Sequence, residues 1–173
     1  MGGARMKFLS EDEYRTITKG DGYWTDHGDR WDYMRVAIEW MQGASSVLEI
    51  GAMGLPLSPE SDHLDQWTLR GLEPTYKHDA RVTPWPIADK AYDYVVALQV
   101  WEHLEGKQEA AFKEAARVAR YVILSVPYCW GYPPDHAGID DFVVYSWSGR
   151  QPLRARVVAG PPERKLYLWK VGK

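Results

Sequence analysis

The sequence predicts an α/β fold, a three-layer sandwich around a mostly parallel sheet, and three observations carry it. Short apolar strands alternate with helix-period segments between residues 30 and 127. One strand, Tyr92 to Gln99 (YDYVVALQ), is apolar nearly throughout, as a strand covered on both faces must be. The stretch from Leu153 to Val171 reads as two alternating runs around Gly160-Pro161-Pro162, a terminal β-hairpin that adds antiparallel strands. With 173 residues, 45% hydrophobic and 26% charged, the chain suits a single domain that buries a real core. The expected division is a helical leader or lid over 1–44, a binding core over 45–127, and a substrate loop with hairpin over 128–173.

The elements follow from local pattern. Trp31, Met34, Ile38 and Met41 recur at helical spacing, so Arg30 to Gln42 is a helix, with Asp29 to cap it and Gly43 to end it. Ser46 to Ile50 (SVLEI) is a short strand entering the turn Gly51-Ala52-Met53-Gly54. Lys107 to Ala119 is the next helix, with Ala111, Phe112, Ala115, Ala116 and Ala119 along one side. Tyr121 to Val126 (YVILSV) is a second buried strand, stopped by Pro127.

Composition excludes several classes. One cysteine, Cys129, rules out an intramolecular disulfide and a cysteine-only metal cage, so a reducing, cytoplasmic compartment is expected. No stretch approaches the ~18 apolar residues of a membrane span, and the N-terminal segment lacks a secretory apolar run. The net charge of −3 hides an asymmetry: from Gly149 onward seven basic residues face Glu163 alone. Those charges alternate with apolar residues in strand fashion, and together with the acidic remainder they argue against nucleic acid as a partner. Nine Trp and eleven Tyr against three Phe weight the aromatic set toward rings with a polar handle.

Two segments carry chemistry. In Val47 to Gly54 a strand ending in Glu49 runs into two glycines, which lets backbone approach a ligand that a Cβ would exclude. The GxGxxG fingerprint is not satisfied, and Glu49 would repel a pyrophosphate, so a nicotinamide-dependent oxidoreductase is disfavoured. The second segment is His78 to Leu104. Asp79-Ala80, Pro84-Trp85, Asp89, Tyr92-Asp93 and Trp101-Glu102-His103-Leu104 fall in one register, followed by Glu114 to Val118 and Ser125-Val126-Pro127. With these residues, Ser46 to Pro127 resembles the class I S-adenosylmethionine-dependent methyltransferases, in their small-molecule branch.

The resemblance implies a Rossmann-like fold, S-adenosyl-L-methionine as cofactor and a set of contacts. Glu49, Gly51, Ala52 and Gly54 would hold the methionine end, Asp79 and Ala80 would meet the adenine, and Gln99 with Val100 would line the sulfonium side. The family also places a ribose-binding acid at the end of its second strand. Here only 34 positions run from Ser46 to Asp79. Two successive βαβ units of about 30 residues each cannot fit, so at least one crossover helix is shortened or missing. Asp65 is preferred over Glu73 for the ribose, because Glu73 adjoins the helix-breaking Pro74.

Methyl transfer from a sulfonium needs alignment and dryness more than covalent help, and a general base adds where the acceptor is a hydroxyl. Candidate catalytic residues are His136 with Asp135, and His103; Tyr128, Trp130 and Tyr132 after the last parallel strand, with Trp24 of the leader, are candidate walls for the acceptor. Tyr23, His27 and Trp31 extend that aromatic leader. No recognised metal spacing occurs. The expected activity is methyl transfer to a small-molecule or sugar-like acceptor, through oxygen. The rival of another class is a non-catalytic regulator or assembly protein with an eroded cofactor site.

Overall fold

The computed structural model describes residues 5–24, 29–129, 138–158, 160 and 162–172. Its centre is a seven-stranded sheet: β1 (Val47–Ile50), β2 (Asp62–Asp65), β3 (Tyr76–Lys77), β4 (Tyr92–Leu98), β5 (Ala119–Pro127), β6 (Arg154–Val158) and β7 (Arg164–Lys170). The spatial order is β3-β2-β1-β4-β5-β7-β6. Strands β1 to β5 are parallel, and β7 slots antiparallel between β5 and β6. The expected hairpin is therefore present, with β6 as the outer edge.

Alternation sorts the side chains into two cores, because successive residues of a strand face opposite sides. Leu48, Val95, Val122, Leu124 and Trp169 join one layer with α3 (Gln108–Val118) and α4 (Asp141–Ser148). Val47, Val96, Ile123, Leu166 and Leu168 join the other, under α1 (Glu11–Ile17) and α2 (Trp31–Trp40). The near-continuous apolar runs seen in the sequence are the consequence of this double covering.

Two helices were not anticipated, and the loss of crossover helices goes further than expected. Helix α1 lies in the polar leader, where the Ser10 hydroxyl accepts from the Glu13 N–H and the Glu13 carboxylate accepts from the Ser10 N–H at 2.8 Å. That reciprocal cap was legible as S-x-x-E. Helix α4 lies in the segment read as loop, capped by Asp140 accepting from the Val143 N–H at 2.9 Å and ended by Gly149 at φ 64°. No helix occurs anywhere from β1 to β4; residues 51–61, 66–75 and 78–91 cross between strands as turns.

Two of the helix-less crossings are fastened by side chains from the ordered core. Glu49 of β1 accepts from the Leu57 N–H at 2.8 Å, the Ser58 N–H at 3.3 Å and the Ser61 hydroxyl at 2.6 Å. At the other face the Arg117 guanidinium donates to the Ile87 carbonyl at 2.7 Å and the Trp85 carbonyl at 3.2 Å, while Glu114 accepts from the Trp85 N–H at 2.7 Å. Trp85 and Trp101 are buried in that layer, and their indole N–H groups donate to the Ala80 and Gln108 carbonyls. Large rings thus occupy the volume that crossover helices would fill.

Candidate functional site

Strand order reverses between β1 and β4, and a parallel sheet opens a crevice at the carboxyl ends of such a pair. The chain does so here. Gly51 leaves β1 with φ 66°, and a Cβ built on it would lie 2.8 Å from Val100 Cγ2. Glycine at this position keeps the two strand ends close and leaves backbone bare toward the crevice. Gln99 leaves β4 with φ 59°, its N–H donating to the Ser125 carbonyl at 3.0 Å and its side-chain amide to the Ser125 hydroxyl at 3.0 Å. A left-handed non-glycine residue at a strand end is a local strain that the β5 contact stabilises.

The crevice has two chambers meeting at Ile50 and Gly51. The outer one holds about 270 Å³ and is lined by Asp65, Trp67, Asp79, Ala80, Val100 and His103, among others. Asp65 ends β2, where one carboxylate oxygen accepts from the Trp67 N–H at 3.1 Å. Trp67 stands 64% exposed at the rim. Asp79 is held by Arg81, whose guanidinium donates to both carboxylate oxygens. That hydrogen-bonded guanidinium lowers the Asp79 pKa, which keeps the group an acceptor. Glu73, the other acid considered, lies outside this chamber and is tied to Thr68 and Lys77.

The inner chamber, with only about 40 Å³ of free space, is walled by Tyr23, Trp24, Arg30 and Tyr33 from the leader and by Gly51, Ala52 and Met53 from the turn. Arg30 stacks 4.1 Å above the Tyr23 ring, donates to the Tyr23 carbonyl at 2.7 Å and to the Tyr33 hydroxyl at 3.1 Å. Trp24 is buried, edge-on to both Tyr14 and Tyr23. Arg70 bonds Asp21 and lies over the Tyr23 and Trp24 rings, so it straps the leader to the crossing after β2. Gly54 makes the strap possible: a Cβ there would meet the Leu69 carbonyl oxygen at 2.6 Å.

The expected site residues divide accordingly. Gly51, Ala52, Asp65, Asp79, Ala80, Val100, Trp24 and His103 line the crevice. Glu49 lines the inner chamber, yet its carboxylate is committed to the 57–61 turn, and burial pushes its pKa up to about 7. Gln99 is drawn to Ser125 and Gly54 to residues 69–70, so neither lines the crevice. Tyr128 is turned to Lys165, whose ammonium sits 4.5 Å from its ring. Trp130, Tyr132, Asp135, His136 and the leader's His27 lie outside the described residues. Trp31 is core, packed on Tyr14. Sequence reasoning missed Arg30 and Arg70, because lone arginines carry no motif. It also left Glu102 as a loop residue; its side chain is 2% exposed, and burial pushes its pKa up to about 8.

Among the described residues no three His, Cys, Asp or Glu groups gather to hold a metal, and no helix is long and apolar enough to cross a membrane. The residues fit an adenosyl amino acid: a bare glycine turn, two carboxylates in one chamber and a cation with aromatic faces in the other.

Residues 50–121 match a family described as a methyltransferase domain. None of the curated proteins matches the chain. Among solved structures, an S-adenosylmethionine-dependent methyltransferase from Aquifex aeolicus is 14% identical, with 94% of this chain and 100% of that one covered at a TM-score of 0.60. A chain from the Haloferax volcanii complex of a methyltransferase with the Trm112 methyltransferase activator is 12% identical, with 95% and 98% covered at 0.65. The N-terminal domain of EvdMO1, solved in the presence of S-adenosylhomocysteine and D-fucose, is 16% identical, with 95% and 98% covered at 0.56. Residues 50–121 are thus similar to a methyltransferase domain, and the chain shares the fold of S-adenosylmethionine-dependent methyltransferases of known structure.

Proposed function

We propose that the chain transfers a methyl group from S-adenosylmethionine to a small-molecule or sugar-like acceptor, through oxygen. The observation that carries the reading is the two-chambered crevice at the β1/β4 reversal, with Asp65 and Asp79 in one chamber and Arg30 under an aromatic wall in the other. Bound there, S-adenosylmethionine supplies an electrophilic methyl on a sulfonium, which an aligned acceptor atom takes by in-line displacement. Asp65 accepts from the ribose hydroxyls. Asp79 accepts from the adenine amine, beside the Ala80 backbone. The Gly51 turn gives the amino-acid end its bare backbone, and Arg30 offers that end's carboxylate a cation. Tyr23 and Trp24 keep water out, and positioning of this kind is worth several kcal/mol of barrier.

The acceptor enters from the leader and from the residues after β5, where Trp24, Tyr128, Trp130 and Tyr132 are the walls proposed. His136 with Asp135 is the base proposed for an acceptor hydroxyl, with His103 second. The D-fucose present with the EvdMO1 domain supports a sugar-like acceptor by fold likeness alone. One observation favours the rival reading of a non-catalytic binder: Glu49, which the resemblance places on the cofactor, is hydrogen-bonded to the turn that replaces a helix.

Thermal denaturation with ligand separates these. S-adenosylmethionine or S-adenosylhomocysteine at about 100 times its dissociation constant stabilises by about 2.7 kcal/mol, a melting shift of roughly 5 to 10 °C for this size. Asp65→Ala and Asp79→Ala are expected to lose most of that stabilisation. A melting shift with NADH in its place refutes the reading. Binding without S-adenosylhomocysteine release across a panel of hydroxylated acceptors selects the non-catalytic one.

A further inference from the structure

The far edge of the sheet carries a second surface that methyl transfer does not use. Strand β6 is the outermost strand, and Arg154, Ala155, Arg156 and Val157 along it are all exposed. Its second edge of backbone N–H and C=O groups therefore has no neighbouring strand among the described residues. The two faces of β6 differ. Ala155 and Val157 pair with Tyr167 and Lys165 and share their side, whereas Arg154 and Arg156 pair with Leu168 and Leu166 and share the opposite one.

On the Ala155 side a groove of about 250 Å³ lies between the edge strands and α4. Tyr145, Pro152, Ala155, Tyr167 and Trp169 give it apolar walls. Several of its polar groups are already partnered: Lys165 and the Tyr167 hydroxyl on Asp141, the Trp169 indole on the Arg150 carbonyl. The floor of such a groove takes apolar side chains. Its surroundings are apolar too, with Leu153 60% exposed, Tyr145 45% and Val157 47%.

We infer that β6 is a docking edge for an extended acidic peptide segment of another protein, one that alternates apolar and acidic residues and adds as an eighth strand. Period-two alternation dictates this pattern. One set of side chains of the added strand would fall over the groove, and the other over Arg154 and Arg156. Arg154 has no ion-pair partner among the described residues, and Arg156 has only the exposed Glu39 at 3.0 Å. A second copy of this chain is disfavoured, since pairing β6 with itself brings like charges together. Nucleic acid is disfavoured because the chain carries a net charge of −3 and this face of β6 offers only Arg154 and Arg156, too few cations for a phosphate track.

The test uses the full chain and two fluorescent eight-residue peptides, one alternating Val with Glu and one alternating Val with Lys, read by anisotropy. The Val–Glu peptide is expected to bind at least about tenfold tighter. Filling the groove with Ala155→Trp should weaken it about tenfold or more, and Arg154→Glu should remove the preference for Glu. Hydrogen exchange should show the β6 amides protected by the bound peptide. Both variants should keep the wild-type melting temperature and its rise with S-adenosylmethionine, because β6 lies three strands beyond β4. Absence of Val–Glu binding at about 1 mM overturns the inference. So do equal binding of the two peptides, indifference to both variants, stronger binding of a single-stranded oligonucleotide, or concentration-dependent dimerisation lost in Arg154→Glu. None of these outcomes bears on the methyl-transfer reading.

Discussion

Two buried glutamates show how much one residue's environment decides. Both Glu49 and Glu102 are nearly inaccessible, but Glu49 has four hydrogen bonds to its carboxylate while Oε2 of Glu102 has none. Burial raises both pKa values, to about 7 for Glu49 and about 8 for Glu102, where the more distant Arg164 and Arg30 only partly offset it. A raised pKa means that the folded chain holds a proton which the unfolded chain releases. The stability from Glu102 is thus fully present below about pH 4.5 and is lost as pH climbs to about 8. Glu102→Gln keeps the shape without the ionisation. Its melting temperature relative to wild type is expected to be level near pH 4 and to rise steadily from pH 5 to pH 9. A tenfold difference in proton affinity between folded and unfolded chain is worth about 1.4 kcal/mol, so the gain at the alkaline end is on the order of several kcal/mol. A difference that stays flat with pH refutes this account. For Glu49 the bonds to residues 57–61 matter more. At pH 6 the buried Glu49 carboxyl still holds its proton, so Glu49→Gln trades one O–H for an amide NH₂ among the same donors and should cost about 1 kcal/mol of stability by urea denaturation.

At the scale of elements, the three crossings without helices are the departure that the sequence half-disclosed. The 34 positions between Ser46 and Asp79 excluded two full βαβ units, and that arithmetic was sound. It did not reveal that a helix is missing after β3 as well, since residues 78–91 look like a motif rather than a gap. What holds that crossing is Arg117, reaching from α3 to two backbone carbonyls as well as to Glu114 and Asp89. Arg117→Ala leaves those carbonyls without their charged donor and is expected to cost about 2 to 3 kcal/mol. Because the loop's far end carries Asp79 and Ala80, the same variant should weaken S-adenosylmethionine binding several-fold while Asp79 itself is intact. Calorimetric titration alongside denaturation checks both numbers; a stability loss with unchanged affinity would separate the crossing from the site. Helix α4 shows the opposite failure. Its cap, Asp140, and its left-handed stop, Gly149, are both in the sequence, but its exposed Phe142 and Tyr145 break the amphipathic pattern.

For the whole molecule, the helix-less side predicts an uneven stability. Strands β4, β5 and β7 are covered by helices and carry most of the sheet's buried hydrophobic side chains, whereas β2 and β3 are short and covered by turns. Amides of residues 62–77 should exchange with solvent earlier than those of 92–98 and 119–127, and S-adenosylmethionine should slow the first group most, since Asp65 and Trp67 line its chamber. Uniform protection across the sheet would contradict this. The sequence by itself determined the class of fold, the positions of β1, β4, β5 and the hairpin, and the glycine turn with Asp79-Ala80. Those rest on local periodicity and on short contiguous motifs, which a chain displays whatever its neighbours do. Tertiary structure alone decided that β7 lies inside β6, that Glu49 fastens a turn, that Arg30 and Arg70 close the leader over the crevice, and that one edge strand is left open beside a groove. Each of these joins residues distant in the chain, where the outcome turns on burial, charge and packing that no local pattern records.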